Sequence, residues 1–530
     1  MGNKLFYKLG LEELTDDTIV DPNVDTDGSD SAEAHMIEAD QAAVQADSAI
    51  EDTEALTEDA ETLEDVVVAM NSALASGNVT RDTIRFSRAP IAGVYRRWGM
   101  DLPPVVSTEG LSDYTLTQEL TTSMEGVKEN LAKFYQGMAA RIKQARDHIM
   151  AFITPAKKAV GKIRERAHAL KTHVQGAGNF AGGEDIKFSN AALAAGGQAA
   201  SGSTLVAKLK ELETFTLHVV GPDGSGCLKT VDSVFTKLAE DVVALKDAEK
   251  YNEMLNRTGE QITKAIGDYV TQGLPKIHEE RDDANFTITY YSNALLGGKS
   301  IEVTNFNYKS LAAKISTTAG KTMITSVGIS LKALAKTTAI GAGAGALISA
   351  GSGLSAGFGA LAGGAIAGFT AAPIAAVGAG AAAGIIGAVQ GFIGFPASYL
   401  ANHIKMRTRK APMPKKSVFQ SLSSKDALAA LDHVVAICDS IEIFFREAAA
   451  RETALNATEE KIDHMVKSLK NETTWYRRRF LGSISAGMLT VYNKLDNYNV
   501  QICATNLGVC RAVLAYVVAS VPHVTPAAAE

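Results

Sequence analysis

The feature that most constrains this chain is a long central stretch with no charged side chain and no His. Residues 337–402 lack Asp, Glu, Lys, Arg and His, and within 341–400 there are 16 glycines and 19 alanines. Pro373 divides the stretch into two arms, each long enough for the ~20 residues of a bilayer span. Small residues spaced four apart let helix backbones approach closely. The pairs with this spacing are Gly341/Gly345, Gly353/Gly357, Gly359/Gly363, Gly364/Gly368, Gly380/Gly384 and Gly387/Gly391.

We predict a hydrophobic helical hairpin over residues 321–404, and three interpretations of it stay open. It enters a membrane at some stage, it packs as close soluble helices, or it is a flexible Gly-rich segment. Glycine costs about 1 kcal/mol relative to alanine in a helix, so a Gly/Ala arm holds a bilayer more weakly than a Leu-rich one. Basic residues at both ends suit a hairpin whose ends stay on one side of a membrane. These are Lys332, Lys336, Lys405, Arg407, Arg409, Lys410, Lys415 and Lys416.

The net charge of -7 hides two opposite parts. Between residues 9 and 80 there are 20 acidic side chains and no Lys or Arg, whereas residues 81–530 carry 50 basic against 39 acidic side chains. Residues 16–65 have few large apolar groups, so this segment is expected to be disordered or loosely helical. We therefore assign 1–80 as an acidic disordered arm. It is either a solubilising tail or a removable propeptide.

The rest of the chain predicts a mainly α fold of long antiparallel helices. Residues 81–109 are a basic, Pro-containing linker, 110–320 a helical domain, and 405–530 a C-terminal helical hairpin in which Ser423 and Asp426 resemble an N-cap. Within the helical domain, 176–203 is expected to be a Gly-rich loop. A β-hairpin is expected from 285–291 and 301–306, turned at Gly297 and Gly298.

Catalytic and metal motifs are weak in this sequence. Residues 221–230, Gly-Pro-Asp-Gly-Ser-Gly-Cys-Leu-Lys-Thr, follow a strand-like segment at 215–220 but have two residues between the last Gly and Lys229. A phosphate-binding P-loop needs that Lys directly after the Gly. The ten His and four Cys form no metal-binding spacing. We expect no enzyme activity, no metal and no cofactor.

One predicted helix, within residues 111–174, carries a strongly basic polar face. Such a face is most often a solvated surface, with phosphate or acidic-partner contact as the alternative. Its members are Arg141, Lys143, Arg146, Lys157, Lys158, Lys162, Arg164 and Arg166.

Two short motifs stand where the acidic arm gives way to helix. Ser107-Thr108-Glu109 is followed by Gly110, and Ser123-Met124-Glu125 by Gly126. With the acidic arm, they resemble the internal head proteins of phiKZ-like giant bacteriophages. That resemblance implies that a phage prohead protease removes an acidic propeptide by cutting after Ser-x-Glu or Ala-x-Glu. Position favours these two motifs over others in the chain, among them Ser31-Ala32-Glu33, Ala49-Ile50-Glu51, Ser300-Ile301-Glu302, Ser440-Ile441-Glu442, Ala450-Arg451-Glu452 and Ala457-Thr458-Glu459.

The resemblance implies a non-enzymatic structural protein inside the capsid, with other head proteins and the prohead protease as partners. A cut after Glu109 would leave 45 basic and 36 acidic side chains, a net charge of +9 that suits non-specific contact with DNA. We also expect a homo-oligomer, and ejection with the DNA followed by entry of 337–402 into the host membrane. Two alternatives remain: an α-helical pore-forming protein, similar in plan to toxins of the cytolysin A type, and a coiled-coil adaptor with a Gly-rich core.

Overall fold

The computed structural model describes residues 32–76, 79, 81–100, 113–186, 188–244, 248–282, 287–307, 404–410, 419–468 and 475–521. Across these residues the fold is mainly α-helical, as the sequence predicts. The helices are α1 Ala32–Ser76, α2 Arg81–Arg97, α3 Asp113–Gly176, α4 Gly202–Val220, α5 Pro222–Ala244, α6 Ala248–Thr271, α7 Ser424–Ser468 and α8 Trp475–Ser520. The strands are β1 Asp185–Ile186, β2 Ala194–Ala195, β3 Gln198–Ala199, β4 His278–Asp282, β5 Thr287–Ser292, β6 Lys299–Phe306, β7 Lys405–Lys410 and β8 Phe419–Gln420.

Four long helices, α1, α3, α7 and α8, form the framework, and each packs antiparallel to two of the others. The direction follows from side-chain contacts whose residue order runs oppositely in the two helices. Antiparallel neighbours joined by short connections are the usual arrangement of helical bundles. The defining contacts are Asp52–Arg141 and Leu56–Gly137 for α1 and α3, Arg146–Glu452 and Arg164–Asp439 for α3 and α7, Arg451–Asp496 and Cys438–Cys510 for α7 and α8, and Ala43–Gln501 and Asp47–Asn497 for α1 and α8.

The predicted C-terminal hairpin is present, and its first helix begins at the expected cap. The backbone N–H of Asp426 donates to the Ser423 hydroxyl at 3.1 Å, and that hydroxyl donates to the Asp426 carboxylate at 2.8 Å. This reciprocal pair satisfies an N–H group at the start of α7 that has no partner within the helix.

Three shorter helices, α4, α5 and α6, pack beside the framework. The strand-like segment at 215–220 is not a strand, because it forms the last turns of α4. Its β-branched and aromatic residues suit either structure. Phe215 and Val219 lie four apart and are both buried in the core, and that burial favours the helix over their β propensity.

A four-stranded antiparallel sheet, in the order β4-β5-β6-β7, contains the predicted hairpin. Strands β5 and β6 pair with Tyr290 opposite Val303, and both side chains are buried. The turn uses Gly297 and Gly298 at φ +114° and +59°, a region that favours glycine. At Gly297 a Cβ would also lie 2.6 Å from the Thr505 methyl carbon of α8.

The last strand pair of the sheet brackets the central Gly/Ala region. Strand β6 ends at Phe306, β7 begins at Lys405, and Thr304 lies opposite Lys405 in the antiparallel register. The chain between 308 and 403 therefore leaves and returns at one place in the sheet. The predicted hairpin at 321–404 lies outside the described residues except for its last residue, Ile404. So do all its glycine pairs, from Gly341, Gly345, Gly353 and Gly357 through Gly359, Gly363, Gly364 and Gly368 to Gly380, Gly384, Gly387 and Gly391.

Of the two expectations for the acidic arm, disordered or loosely helical, the helical one holds where the structure describes it. Residues 1–31 lie outside the described residues, but from Ala32 to Ser76 the arm is one continuous helix, so the assignment of 1–80 as disordered is wrong for that part. Buried residues recur every three or four positions in α1 and form a stripe that is apolar except at His35, Thr53 and Asp59. Those buried in the core are Met36, Ala39, Ala42, Ala43, Ala46, Ala49, Ile50, Leu56, Leu63, Val66 and Met70.

Within the described residues, one helical segment is long and apolar enough to cross a membrane, Gly487–Ser520 in α8. Two thirds of its most apolar window is buried inside the fold. A central core helix has this same composition, and α8 contacts α1, α3, α5 and α7.

Candidate functional site

The acidic helix α1 meets the basic part of the protein at a buried ion pair. The Lys494 ammonium lies 2.7 Å from the Glu54 carboxylate and donates to the backbone carbonyl of Ile404 at 2.9 Å. Its side chain is 3% exposed and that of Glu54 14%. Burial lowers the pKa of Lys494, and the Glu54 carboxylate opposes that shift. Arg407 of β7 lies 3.5 Å from the same carboxylate, so Glu54 serves two cations.

A second group of contacts continues along α1 toward its N-terminus. Asn497 donates to the Asp47 carboxylate at 3.0 Å, and Gln501 donates to the backbone carbonyl of Ala43 at 3.0 Å. Burial raises the pKa of Asp47, and the Asn497 hydrogen bond opposes the rise. Burial also lowers the pKa of Lys299 at the start of β6, and the α1 carboxylates Asp40 and Asp47 oppose that shift. Acidic groups of α1 thus supply the counter-charge to cations of the sheet and of α8.

The C-terminal half of α1 contacts the end of α2 through a third acidic residue. The Asp59 carboxylate accepts from the Trp98 indole N–H at 2.7 Å and lies 2.6 Å from the Arg97 guanidinium. Its side chain is only 3% exposed. In turn, Arg88 of α2 pairs with Glu119 of α3 at 2.6 Å. Helices α1, α2 and α3 therefore form one connected unit around a separate apolar cluster.

The two cleavage motifs fall in different surroundings. Ser107, Glu109 and Gly110 lie outside the described residues, between the end of α2 and the start of α3. Ser123, Glu125 and Gly126 lie inside α3, and Met124 between them is buried at 2% exposure. Proteases cleave exposed, locally unfolded chain, so a cut in this second motif would require α3 to unwind.

The basic face of α3 divides between paired and exposed residues. Arg146 pairs with Glu452 at 2.8 Å, Arg164 pairs with Asp439 and Glu442, and Lys171 pairs with an acid of α7. Arg141 and Lys162 also have carboxylate neighbours, at 3.6 and 3.9 Å. The part of the face that is exposed comprises Lys143, Lys157, Lys158, Lys162 and Arg166.

The P-loop-like segment is a helix and not a phosphate loop. Helix α5 begins at Pro222, directly after Gly221, and Cys227 is buried with its thiol facing the carbonyl of Ala265 at 3.7 Å. Burial raises the pKa of Cys227 to about 12, so it is held as the neutral thiol. Among the described residues, no three His, Cys, Asp or Glu side chains come together as a metal-binding group.

A small pocket between α3, α7 and α8 is lined by the buried acid Asp496. Burial raises the pKa of Asp496, and Arg451 and Arg146 oppose the rise. The Arg451 guanidinium lies 3.4 Å from Asp496 and stacks over the Phe444 ring at 4.5 Å. These charges come from three different helices and compensate one another, so they serve to hold the helices together.

The sequence signal for the α1 interface was present but faint. Five of the eleven buried apolar residues in its stripe are alanine, which adds little to a hydrophobic pattern, while twelve acidic residues dominate the composition of the helix. The partners of α1 lie some 450 residues away in the chain, at Asn497 and Gln501. The 3–4 residue spacing of Met36, Ala39 and Ala43 was the one local indication that this arm packs.

A family model described as phiKZ-like phage internal head proteins matches residues 37–341, which is more than half of the chain. The match starts inside α1 and so includes most of the acidic helix. No curated protein and no solved structure matches the chain.

Proposed function

The chain belongs to the phiKZ-like phage internal head proteins, and on that premise we propose that it is a non-enzymatic structural protein cut by the head protease during maturation. Its place is inside the virion head. The family match carries the proposal. The structure supports a scaffolding role, because buried charges such as Lys494 and Asp496 are used to join one helix to another.

The proposed cut follows Glu109. The Ser107-Thr108-Glu109 motif lies between the last residue of α2, Arg97, and the first of α3, Asp113. The rival motif at Ser123 is interior to a 64-residue helix, with the buried Met124 at its centre. Cutting there requires α3 to lose packing around Met124.

Co-expression of the full chain with the head protease of its phage tests the proposal. The wild type and Glu125→Gln should give the same fragment starting at Gly110, and Glu109→Gln should stay intact. Intact mass and N-terminal sequencing read out the cut. An uncut wild type, or a Glu109→Gln chain cut as fast as Glu125→Gln, contradicts the proposal.

We further propose that the exposed bases of α3 contact packed DNA without sequence preference. Lys157, Lys158 and Arg166 are exposed on one helix and can each approach a phosphate. Replacing these three with Gln should flatten the slope of log affinity against log salt by about 2 to 3. Replacing Arg146, Arg164 and Lys171, which are paired with α7, serves as the matched control. Equal slopes for wild type and the exposed-face variant would contradict this contact.

A membrane role for 337–402 is the second candidate function, supported by the strand pair β6 and β7. Both ends of the intervening chain start from one place, as a hairpin inserting from one side of a bilayer requires. Of the basic flanking residues, Arg407 and Arg409 instead pair with Glu54 and Glu302.

Dye release from anionic vesicles by the full chain tests the membrane role. The wild type should release dye, and a variant with Gly357→Asp and Gly380→Asp should not, because a charge in each arm opposes insertion. Release by the wild type at the level of protein-free vesicles would contradict it.

A further inference from the structure

The acidic helix α1 is part of two hydrophobic cores. Met36, Ala39 and Ala46 belong to the main core, which includes residues of α3, α7 and α8. Leu63 and Met70 belong to the second cluster, with residues of α2 and α3. Each of these five side chains is at most 7% exposed. Removing α1 would therefore expose apolar surface of α3 and α8 to water, which is unfavourable.

Departure of α1 would also take a carboxylate away from a buried cation. Lys494 would keep the Ile404 carbonyl but lose the carboxylate 2.7 Å away. Dissociation would give up the attraction between these two charges in exchange for their hydration. Asn497 and Gln501 would lose their hydrogen bonds to α1 as well.

The proposed cut lies after α2, and α2 is tied to both sides of it. On the N-terminal side, Trp98 and Arg97 hold the Asp59 carboxylate of α1. On the C-terminal side, the Asn130 amide of α3 donates to the Tyr95 hydroxyl at 2.7 Å, and Tyr95 is fully buried. Cutting the backbone after Glu109 breaks none of these contacts.

We infer that the acidic segment stays bound after the cut, so that the mature protein is two polypeptides, of which the N-terminal one, ending at Glu109, is held non-covalently on the body through residues 32–98. This inference rests on the proposed cut, and it replaces the idea that processing turns the folded protein basic. The binding surface is the groove formed by α3, α8 and β7, and its occupant is this chain's own helix α1. Charge complementarity and the two apolar cores argue for that occupant.

An engineered cut tests whether the acidic segment stays bound, independently of the natural cut. A recognition sequence for a site-specific protease placed within residues 101–112 of the full chain allows complete cleavage of the purified, folded protein. The two fragments should co-elute in equal amounts on size exclusion at both 0.15 M and 1 M salt, with unchanged helical circular dichroism. Separation of the fragments without denaturant would overturn the inference.

A pair of charge variants tests whether the buried carboxylates hold the complex. In the cleaved protein, Glu54→Gln with Asp59→Asn should release the N-terminal fragment at lower urea than wild type. Glu38→Gln with Glu51→Gln changes the net charge equally at exposed positions of α1 and should release it at the wild-type urea concentration. Equal release by both variants would overturn the assigned contacts.

The outcomes keep the two proposals apart. A natural protein that is never cut contradicts the proposed function, whereas co-elution of the engineered fragments still supports retention. A natural cut followed by separation of the engineered fragments contradicts retention and leaves the proposed function standing.

Discussion

The Lys494 ammonium of α8 lies 2.7 Å from the Glu54 carboxylate of α1, and both groups are largely buried. This pair joins the acidic N-terminal part of the chain to its most buried C-terminal helix. An acidic segment with this contact is an element of the fold. Its negative charge compensates cations that the core could not otherwise hold.

Loss of the Glu54 charge should destabilise the whole protein. Glu54→Gln leaves Lys494 buried without its carboxylate, and we expect the free energy of unfolding to fall by about 3 kcal/mol. Glu51→Gln, at an exposed position of the same helix, should change it by less than about 0.5 kcal/mol. Urea unfolding followed by circular dichroism measures both. Similar stabilities for the two variants would contradict the buried pair.

The Asp47 carboxyl should make stability depend on pH. Burial raises its pKa above the ordinary 3.8, so the folded state binds this proton more tightly than the unfolded state. That contribution is present at pH below about 4 and is lost as pH rises through the folded-state pKa. Asp47→Asn has no such proton to lose. From pH 4 to pH 7 the free energy of unfolding of wild type should therefore fall relative to that of this variant. Parallel stability curves over that range would show that Asp47 titrates normally.

The apolar stripe of α1 should matter as much as its charges. Leu63 is fully buried, and Leu63→Ala should cost about 2–5 kcal/mol because a cavity is left between α1, α2 and α3. Val44 is 44% exposed on the opposite face, so Val44→Ala should cost under about 0.5 kcal/mol. Thermal unfolding of the two variants gives the comparison. Equal melting temperatures would mean that α1 does not pack at Leu63.

The four cysteines should be unreactive in the folded protein. Cys227, Cys438, Cys503 and Cys510 are all buried, and burial raises the pKa of Cys503 well above its ordinary range. Because the thiolate is the reactive form, a thiol reagent such as Ellman's should modify none of them at pH 8 and all four in denaturant. Rapid reaction of any thiol without denaturant would contradict its burial.

Local patterns predicted local structure well. The hairpin turn at Gly297 and Gly298 and the cap at Ser423 follow from residues close in sequence, and both are confirmed. Cys503 and Cys510 lie two helical turns apart in α8, and both are buried. In each case the determining partners lie within a few positions or on one helix face.

The parts of the fold that the sequence did not predict depend on contacts between residues far apart in the chain. From the sequence alone, residues 405–410 are interpreted as a basic flank of a hydrophobic segment. They form strand β7 because they pair antiparallel with β6, with Val303 opposite Met406. Strand β1 likewise pairs with β8, with Ile186 opposite Phe419. The packing of α1 against α8 is of the same kind. The interface between α1 and α8 was therefore the hardest part of the site to predict from the sequence.

The most direct test is the intact mass and N-terminal sequence of this protein recovered from purified phage heads. We predict two polypeptides in equal amounts, one ending at Glu109 and one beginning at Gly110. The C-terminal polypeptide alone would contradict retention of the acidic helix, and a single uncut chain would contradict processing.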